Sequence, residues 1–143
     1  EIVARGHNPE KAAWRIGVNK PVDDSLSMNQ ELQTILQLTD VGMATSGNYR
    51  NFYYKEGKKY AHTINPKTGY PVQHNLLSTT VVAKDCMTAD ALATAFMVMG
   101  LEKAEAFANA HPEIEAYFIY SDEKGNFQNY FTKGMKKYIA EKQ

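Results

Sequence analysis

The stretch 88–100 constrains the fold most, because it is almost wholly apolar and carries a single carboxylate, Asp90. Such a composition is typical of a helix in a protein interior. On that helix the side chains of Asp90 and Thr94 share a face, since residues four apart lie one turn above another. Two hard oxygen donors on an apolar wall suit a Mg²⁺ ion that is also held by phosphates. The stretch therefore predicts a buried helix and a candidate metal site.

A structural explanation of Asp90 also stays open. Either Asp85 or Thr88 can cap the helix, so we expect Asp90 in its first turn. A carboxylate there complements the exposed amides and the helix dipole, which stabilises a helix by roughly 0.3 to 1 kcal/mol without any ligand. Taken alone, the spacing of Asp90 and Thr94 favours this role over a metal site.

The rest of the chain reads as strands joined by turns. Turns at 55–58 and 122–125 predict two hairpins, and small residues at 43–47 would let the backbone approach a neighbour closely. No strand–helix–strand alternation is evident, so we predict an α+β domain, with a mainly antiparallel sheet and two consecutive helices packed on it. The predicted strands are 14–19, 34–39, 51–54, 59–62, 76–83, 114–121 and 126–131, and the second helix is 102–110.

Composition limits the possible classes of protein. The 143 residues, 43% hydrophobic, are enough for a single domain, 1–143. Sixteen basic residues balance sixteen acidic ones, so net charge does not indicate nucleic-acid binding. One cysteine, Cys86, excludes an internal disulfide and a multi-cysteine zinc site. No apolar run approaches the roughly 18 to 20 residues of a membrane span. Because the chain lacks an initial Met, we expect a processed or trimmed piece.

His62 is the histidine best placed for chemistry. It precedes a segment, 63–71, whose two prolines and one glycine predict a rigid loop, and such loops often carry functional groups. Histidine suits proton transfer at neutral pH because its reference pKa is about 6.5. Alone, however, His62 is better explained as a strand-end residue satisfied by a backbone carbonyl. The remaining histidines have no acidic or cysteine neighbours at ligand spacing; they are His7, His74 and His111.

Three segments, taken in order, make a more specific pattern. They are ATSGNYRNF at 44–52, HTINPKTGYP at 62–71 and TADALATA at 88–95. They resemble the Ser-Gly-x-Tyr stretch, the His-x-Ile-(Asp/Asn)-Pro-x-Thr-Gly loop and the Asp-Ala-x-(Ala/Ser)-Thr metal helix of the ApbE family, the FAD:protein FMN transferases. Residues 1–6 and 14–18 are also similar to the family, so the resemblance covers essentially the whole chain. A full member continues upstream of Glu1, so the chain resembles the C-terminal half, with the N-terminal part of the fold absent.

The resemblance implies an enzyme that transfers the FMN half of FAD to a threonine hydroxyl of an acceptor protein and releases AMP. The acceptor would be a subunit of a flavin redox complex. Mg²⁺ would be held by Asp90 and Thr94 together with the Ala93 carbonyl, and His62 would accept the proton of the threonine. The residues implied in binding FAD are Ser46, Asn48, His62, Thr63 and Ile64.

Further expectations follow from the same resemblance. Asn65 stands where aspartate is common, which keeps a turn-forming role but removes a charge and a possible acid or base. We expect the isolated chain to be inactive, and the face left by the absent half is a candidate self-association surface. A periplasmic or cell-envelope location with a lipid anchor is implied for the full-length protein. The alternatives are a non-catalytic flavin-binding or interaction module and a Mg²⁺-dependent FAD pyrophosphatase.

Overall fold

The computed structural model of the chain describes residues 1–21, 32–48, 52–55 and 58–140. These residues form antiparallel strands and two consecutive helices, so the predicted α+β class is confirmed. The strands are β1 (Ile2–Ala4), β2 (Trp14–Asn19), β3 (Leu32–Leu38), β4 (Val41–Gly47), β5 (Phe52–Lys55), β6 (Lys58–Ala61), β7 (Leu76–Ala83), β8 (Glu115–Ser121) and β9 (Phe127–Phe131). The helices are α1 (Cys86–Met99), α2 (Leu101–Ala110) and a terminal 3-10 helix (Lys133–Lys137).

Five strands form the main sheet, in the order β1-β4-β7-β8-β9, and every neighbouring pair is antiparallel. Strand β7 lies at its centre and is buried along almost all of its length. This is why its sequence, LLSTTVVA, does not alternate between apolar and charged residues. β2 pairs with β3 and β5 with β6 in two separate hairpins, although the turn at 56–57 lies outside the described residues.

The main sheet has a hydrophobic core on each face. Helices α1 and α2 cover one face, where Val81 and Phe118 pack against Phe96. The β2–β3 hairpin and the terminal 3-10 helix contribute to the core on the other face, which contains Val82 and Ile119. Neighbouring residues of β7 and β8 thus point to opposite faces, as strand geometry requires. The sheet is the middle of three layers.

Helix α1 begins where the sequence indicates, with Asp85 as its cap. The Asp85 Oδ1 atom accepts a hydrogen bond of 2.8 Å from the Thr88 backbone N–H, and Gly100, with a φ of 79°, ends the helix. Because the helix starts at Cys86, Asp90 is beyond its first turn, which contains no acidic residue. The expectation that Asp90 serves the helix dipole from the first turn is therefore wrong.

Two segments have more structure than their sequences indicate. Residues 41–47 form β4 in the interior of the sheet, although the sequence of 43–47 indicates only a run of small residues. A close approach of the backbone occurs at Gly42, one residue before the predicted run, where an added Cβ would lie 2.3 Å from the Asp85 carbonyl carbon. At the other end of the chain, Met135 is fully buried within the 3-10 helix. No helix in the described part of the chain is long and apolar enough to cross a membrane.

Candidate functional site

A cleft of about 410 Å³ lies where the exposed edge of helix α1 meets the end of strand β4 and the loop after β6. Strand β2 contributes a further wall. Most of the side chains that line this cleft are polar, in contrast to the apolar cores on either face of the sheet. The lining residues are Glu1, Gly17, Val18, Asn19, Thr45, Ser46, Gly47, His62, Thr63, Asp90 and Thr94.

Asp90 and Thr94 both line this cleft, as expected for residues one helical turn apart. Helix α1 lies across β4, because the small residues of that strand allow the two elements to approach closely. The contact brings the Ser46 hydroxyl oxygen to 3.1 Å from the Thr94 hydroxyl oxygen. One carboxylate and two hydroxyl groups are therefore grouped on a wall that is built from two different elements.

Ala93 belongs to the same helix but does not line the cleft. Its side chain is fully buried, and its carbonyl oxygen accepts a hydrogen bond of 2.8 Å from the hydroxyl of Thr79, in the centre of β7. This hydrogen bond uses one of the two lone pairs of the carbonyl oxygen. The expectation that Ala93 supplies a third metal ligand therefore stays a prediction.

His62 is exposed and stands at the start of a hydrogen-bonded loop, 63–72. The Asn65 N–H donates to the Tyr70 carbonyl at 2.9 Å, and the Lys67 N–H donates to the Asn65 side-chain oxygen at the same distance. Gly69 provides the positive φ, 73°, that the turn requires. The segment is an irregular loop and not a continuing strand, as predicted, and Asn65 has the turn-forming role that its sequence position suggests.

The remaining predicted cofactor residues separate into two groups. Ser46 and Thr63 line the cleft with His62, whereas Asn48 and Ile64 do not. The Asn48 side-chain oxygen instead accepts a hydrogen bond of 2.6 Å from the Thr63 hydroxyl. Ile64 is 48% exposed on the outer part of the loop. The structure thus brings together three of the five residues that the resemblance implied for FAD binding.

Sequence reasoning missed the wall formed by β2. Gly17, Val18 and Asn19 reach the cleft because the β2–β3 hairpin packs against the main sheet, and none of them carries a chemical group that the sequence singles out. Their alternating pattern indicates a strand but gives no indication of where that strand lies. Only the long-range packing of the hairpin could identify them.

The donor set of the cleft limits which metal it can hold. Within the described ranges, no group of three or more His, Cys, Asp or Glu side chains is close enough to bind a metal ion. The cleft instead offers the Asp90 carboxylate beside the hydroxyls of Thr94 and Ser46. Hard oxygen donors in this number fit Mg²⁺, which commonly keeps its waters and takes the rest of its ligands from substrate phosphates.

Comparison with known proteins gives consistent matches along the chain. The ApbE family model matches residues 1–118. The FAD:protein FMN transferase of Vibrio cholerae is 39% identical over 140 residues, which is 98% of this chain and 40% of that protein. The FAD:protein FMN transferase of Escherichia coli K12 is 35% identical over 137 residues, or 96% of this chain and 37% of that protein.

Solved structures agree with these matches. The flavin transferase ApbE from Vibrio cholerae is 36% identical with a TM-score of 0.75, and the match covers 93% of this chain and 40% of that one. The ApbE protein from Thermotoga maritima is 28% identical with a TM-score of 0.75, over 95% of this chain and 41% of that one. The chain therefore spans about two fifths of the length of the relatives it matches.

Proposed function

The chain belongs to the ApbE family, and we propose that it is the part of an FAD:protein FMN transferase that carries the metal ligands and the proton acceptor. The observation that carries this proposal is that Asp90, Thr94 and His62, from two separate segments, line one cleft. The names of the relatives, which are FAD:protein FMN transferases at 35 to 40% identity, support the same reaction class.

The proposed reaction is a phosphoryl-type transfer. The hydroxyl oxygen of an acceptor threonine forms a bond to the flavin-side phosphorus of FAD, while the bond from that phosphorus to the bridging oxygen breaks. The bridging oxygen leaves as part of AMP, and FMN remains on the threonine. Such reactions depend mainly on positioning and on charge stabilisation, which are functions that a cleft lined by fixed polar groups can provide.

Asp90 and Thr94 are the proposed ligands of Mg²⁺. When bound, the ion would neutralise the negative charge that develops on the leaving diphosphate oxygen. A hydroxyl ligand binds a cation through a lone pair, so its proton needs another acceptor. The Ser46 hydroxyl oxygen, 3.1 Å from that of Thr94, can accept a hydrogen bond from the Thr94 hydroxyl and leave a Thr94 lone pair for the ion.

His62 is the proposed acceptor of the threonine proton. It lines the cleft and is exposed, so a protein substrate can approach it from solvent while FAD occupies the interior of the cleft. Its position at the start of a hydrogen-bonded loop limits its movement. By family resemblance, we also propose that the acceptor protein is a subunit of a redox complex. The same resemblance underlies the proposed location of the full-length protein, which is lipid-anchored in the periplasm or cell envelope.

The exposure of His62 also favours a second candidate, a Mg²⁺-dependent FAD pyrophosphatase. Water can reach an exposed histidine as easily as a threonine hydroxyl can. The same phosphorus would then be attacked by water, and FMN and AMP would both be released.

One assay separates the candidate functions. The full-length protein is incubated with FAD, Mg²⁺ and an acceptor peptide that bears a threonine, and the products are identified by mass spectrometry. We expect FMN on the peptide and free AMP, and neither with a control peptide in which alanine replaces the threonine. Free FMN with AMP would instead indicate the pyrophosphatase, and unchanged FAD would indicate a binding module. His62→Ala should lower turnover and leave FAD binding intact.

A further inference from the structure

We infer that Asn48 and Thr63 form a positioning pair that fixes His62, and that Asn48 is not a cofactor ligand. This inference rests on the proposed function, because it concerns how the proton acceptor is held. Its basis is the hydrogen bond of 2.6 Å from the Thr63 hydroxyl to the Asn48 side-chain oxygen. Both residues are half-buried, so water competes less for this bond than it would at an exposed site.

Asn48 is itself fixed to the centre of the main sheet. It follows directly after β4, and its backbone N–H donates to the Leu77 carbonyl in β7 at 3.0 Å. The pairing of β4 with β7 therefore continues for one residue beyond the end of the strand. The oxygen that Asn48 presents to Thr63 is consequently held by the two strands next to which helix α1 packs.

Thr63 is held from a second side. Its carbonyl accepts a hydrogen bond of 3.0 Å from the Val72 N–H, which closes the loop that begins at His62. With its hydroxyl on Asn48 and its carbonyl on Val72, Thr63 can move little, and His62 is joined to it by one peptide bond. The pair thus connects the position of the imidazole to the same β4 strand that carries Ser46 towards the Thr94 hydroxyl.

The hydrogen-bond direction also argues against a direct role for these groups in binding FAD. The Thr63 hydroxyl proton is donated to Asn48, so it is not available to a phosphate oxygen. Asn48 does not line the cleft. A residue that binds FAD directly should change KM for FAD, whereas a positioning residue should change kcat and should need His62 for its effect.

The test uses the full-length enzyme and matched variants. Thr63→Val keeps the shape of the side chain but removes the donor, whereas Thr63→Ser keeps the donor. Asn48→Leu removes the acceptor, whereas Asn48→Asp keeps it. We expect Thr63→Val and Asn48→Leu to lower kcat by about tenfold, as for a slightly misplaced catalytic group, with KM for FAD unchanged. Thr63→Ser and Asn48→Asp should retain most of the activity.

A second set of variants tests whether the pair acts through His62. In a His62→Ala background, Thr63→Val should cause no further loss, and the double variant of Asn48 and Thr63 should be no slower than either single one. A raised KM with unchanged kcat, or a full effect of Thr63→Val without His62, would overturn the inference. Thermal unfolding of each variant distinguishes loss of the fold from displacement of His62. If Thr63→Val unfolds, Asn48→Leu is used in its place.

The outcome is distinguishable from failure of the proposed function. If the wild-type enzyme transfers FMN and the variants match it, the pair has no positioning role. If the wild-type enzyme transfers nothing, the NMR signal of the His62 ring still shows whether the pair positions His62. Thr63→Val should then broaden or shift that signal while Thr63→Ser leaves it in place, and an identical signal in both would contradict the inference.

Discussion

At the scale of single residues, the partner that each oxygen atom contacts determines whether it is available to bind a ligand. Asp90, Ala93 and Thr94 lie within five positions of one another on α1, yet the first and last line the cleft and the middle one faces the core. The Thr79 hydroxyl donates a hydrogen bond to the Ala93 carbonyl. Both residues are buried, and a buried hydroxyl without a partner would cost free energy. Proximity along the helix therefore does not identify a ligand.

Asp90→Ala in the full-length enzyme tests the metal assignment. We expect Mg²⁺-dependent transfer of FMN to be abolished, because the only carboxylate on the described wall of α1 that faces the cleft is removed. Transfer is measured against Mg²⁺ concentration after treatment with a chelator. The matched control is Glu102→Ala, an exposed carboxylate in the first turn of α2, which should behave as wild type. Full activity of Asp90→Ala under these conditions would refute the assignment.

At the scale of elements, the start of α1 depends on its cap and on its contact with β4. Hydrogen bonds from the backbone and hydroxyl of Thr88 hold the pKa of Asp85 below its usual range. Gly42 lies directly under the same turn. Because Asp90 and Thr94 project from the next turns, both features help to place the proposed ligands.

The Asp85 cap predicts a specific pH dependence. A carboxyl group whose pKa is lowered by folding contributes stability above its unfolded pKa, and this contribution is lost as the pH falls through its folded pKa. Wild-type protein should therefore lose thermal stability in this acidic range. Asp85→Asn keeps an oxygen acceptor for the Thr88 N–H but cannot be protonated in this way, so it should lose less between neutral and acidic pH. Equal losses of thermal stability in both proteins would show that the Asp85 carboxylate does not contribute to this pH dependence.

Gly42→Ala tests the contact between β4 and α1. The added Cβ would lie 2.3 Å from the Asp85 carbonyl carbon and from the Cys86 nitrogen, both backbone atoms that cannot rotate away. We expect a loss of about 1 to 3 kcal/mol or more in the free energy of unfolding, as for overpacked cores, measured by urea denaturation. Ala91→Gly, on an exposed position of α1, should cost about 1 kcal/mol from helix propensity alone. A smaller loss of unfolding free energy for Gly42→Ala than for Ala91→Gly would contradict the close contact.

At the scale of the whole molecule, the cleft is formed between layers. α1 supplies two residues from one face of the main sheet, while β2 supplies three from the hairpin that packs on the other face. The matched relatives are more than twice as long as this chain. The proposed site is therefore expected to gain further groups from the remainder of the full-length protein.

Residues 1–143 alone should not transfer FMN. The expected reason is that three fifths of the length of the matched relatives, including groups that would contact the flavin, is missing from this chain. The measurement is mass spectrometry of the acceptor peptide, with the full-length protein as the positive control. Robust flavinylation by the chain alone would contradict this prediction, and would show that these residues hold a sufficient site.

Local patterns in the sequence were enough for most elements. Seven predicted strands and both helices are present within about two residues of their expected bounds, because strand and helix periodicities depend on neighbouring residues. The pairing of Asp90 with Thr94 on one face, and the irregular loop after His62, also follow from local geometry. These features required no knowledge of distant contacts.

Tertiary structure decided the rest. The small residues of β4 carry no strand pattern, and the strand exists because β1 and β7 pair with it on either side. Likewise, Asn48 accepts a hydrogen bond from Thr63, and the Ala93 carbonyl accepts one from Thr79, only because distant segments fold against them. The reason is physical: a side chain's type limits the bonds that it can make, but the partner that it meets depends on how strands far apart in the chain are paired.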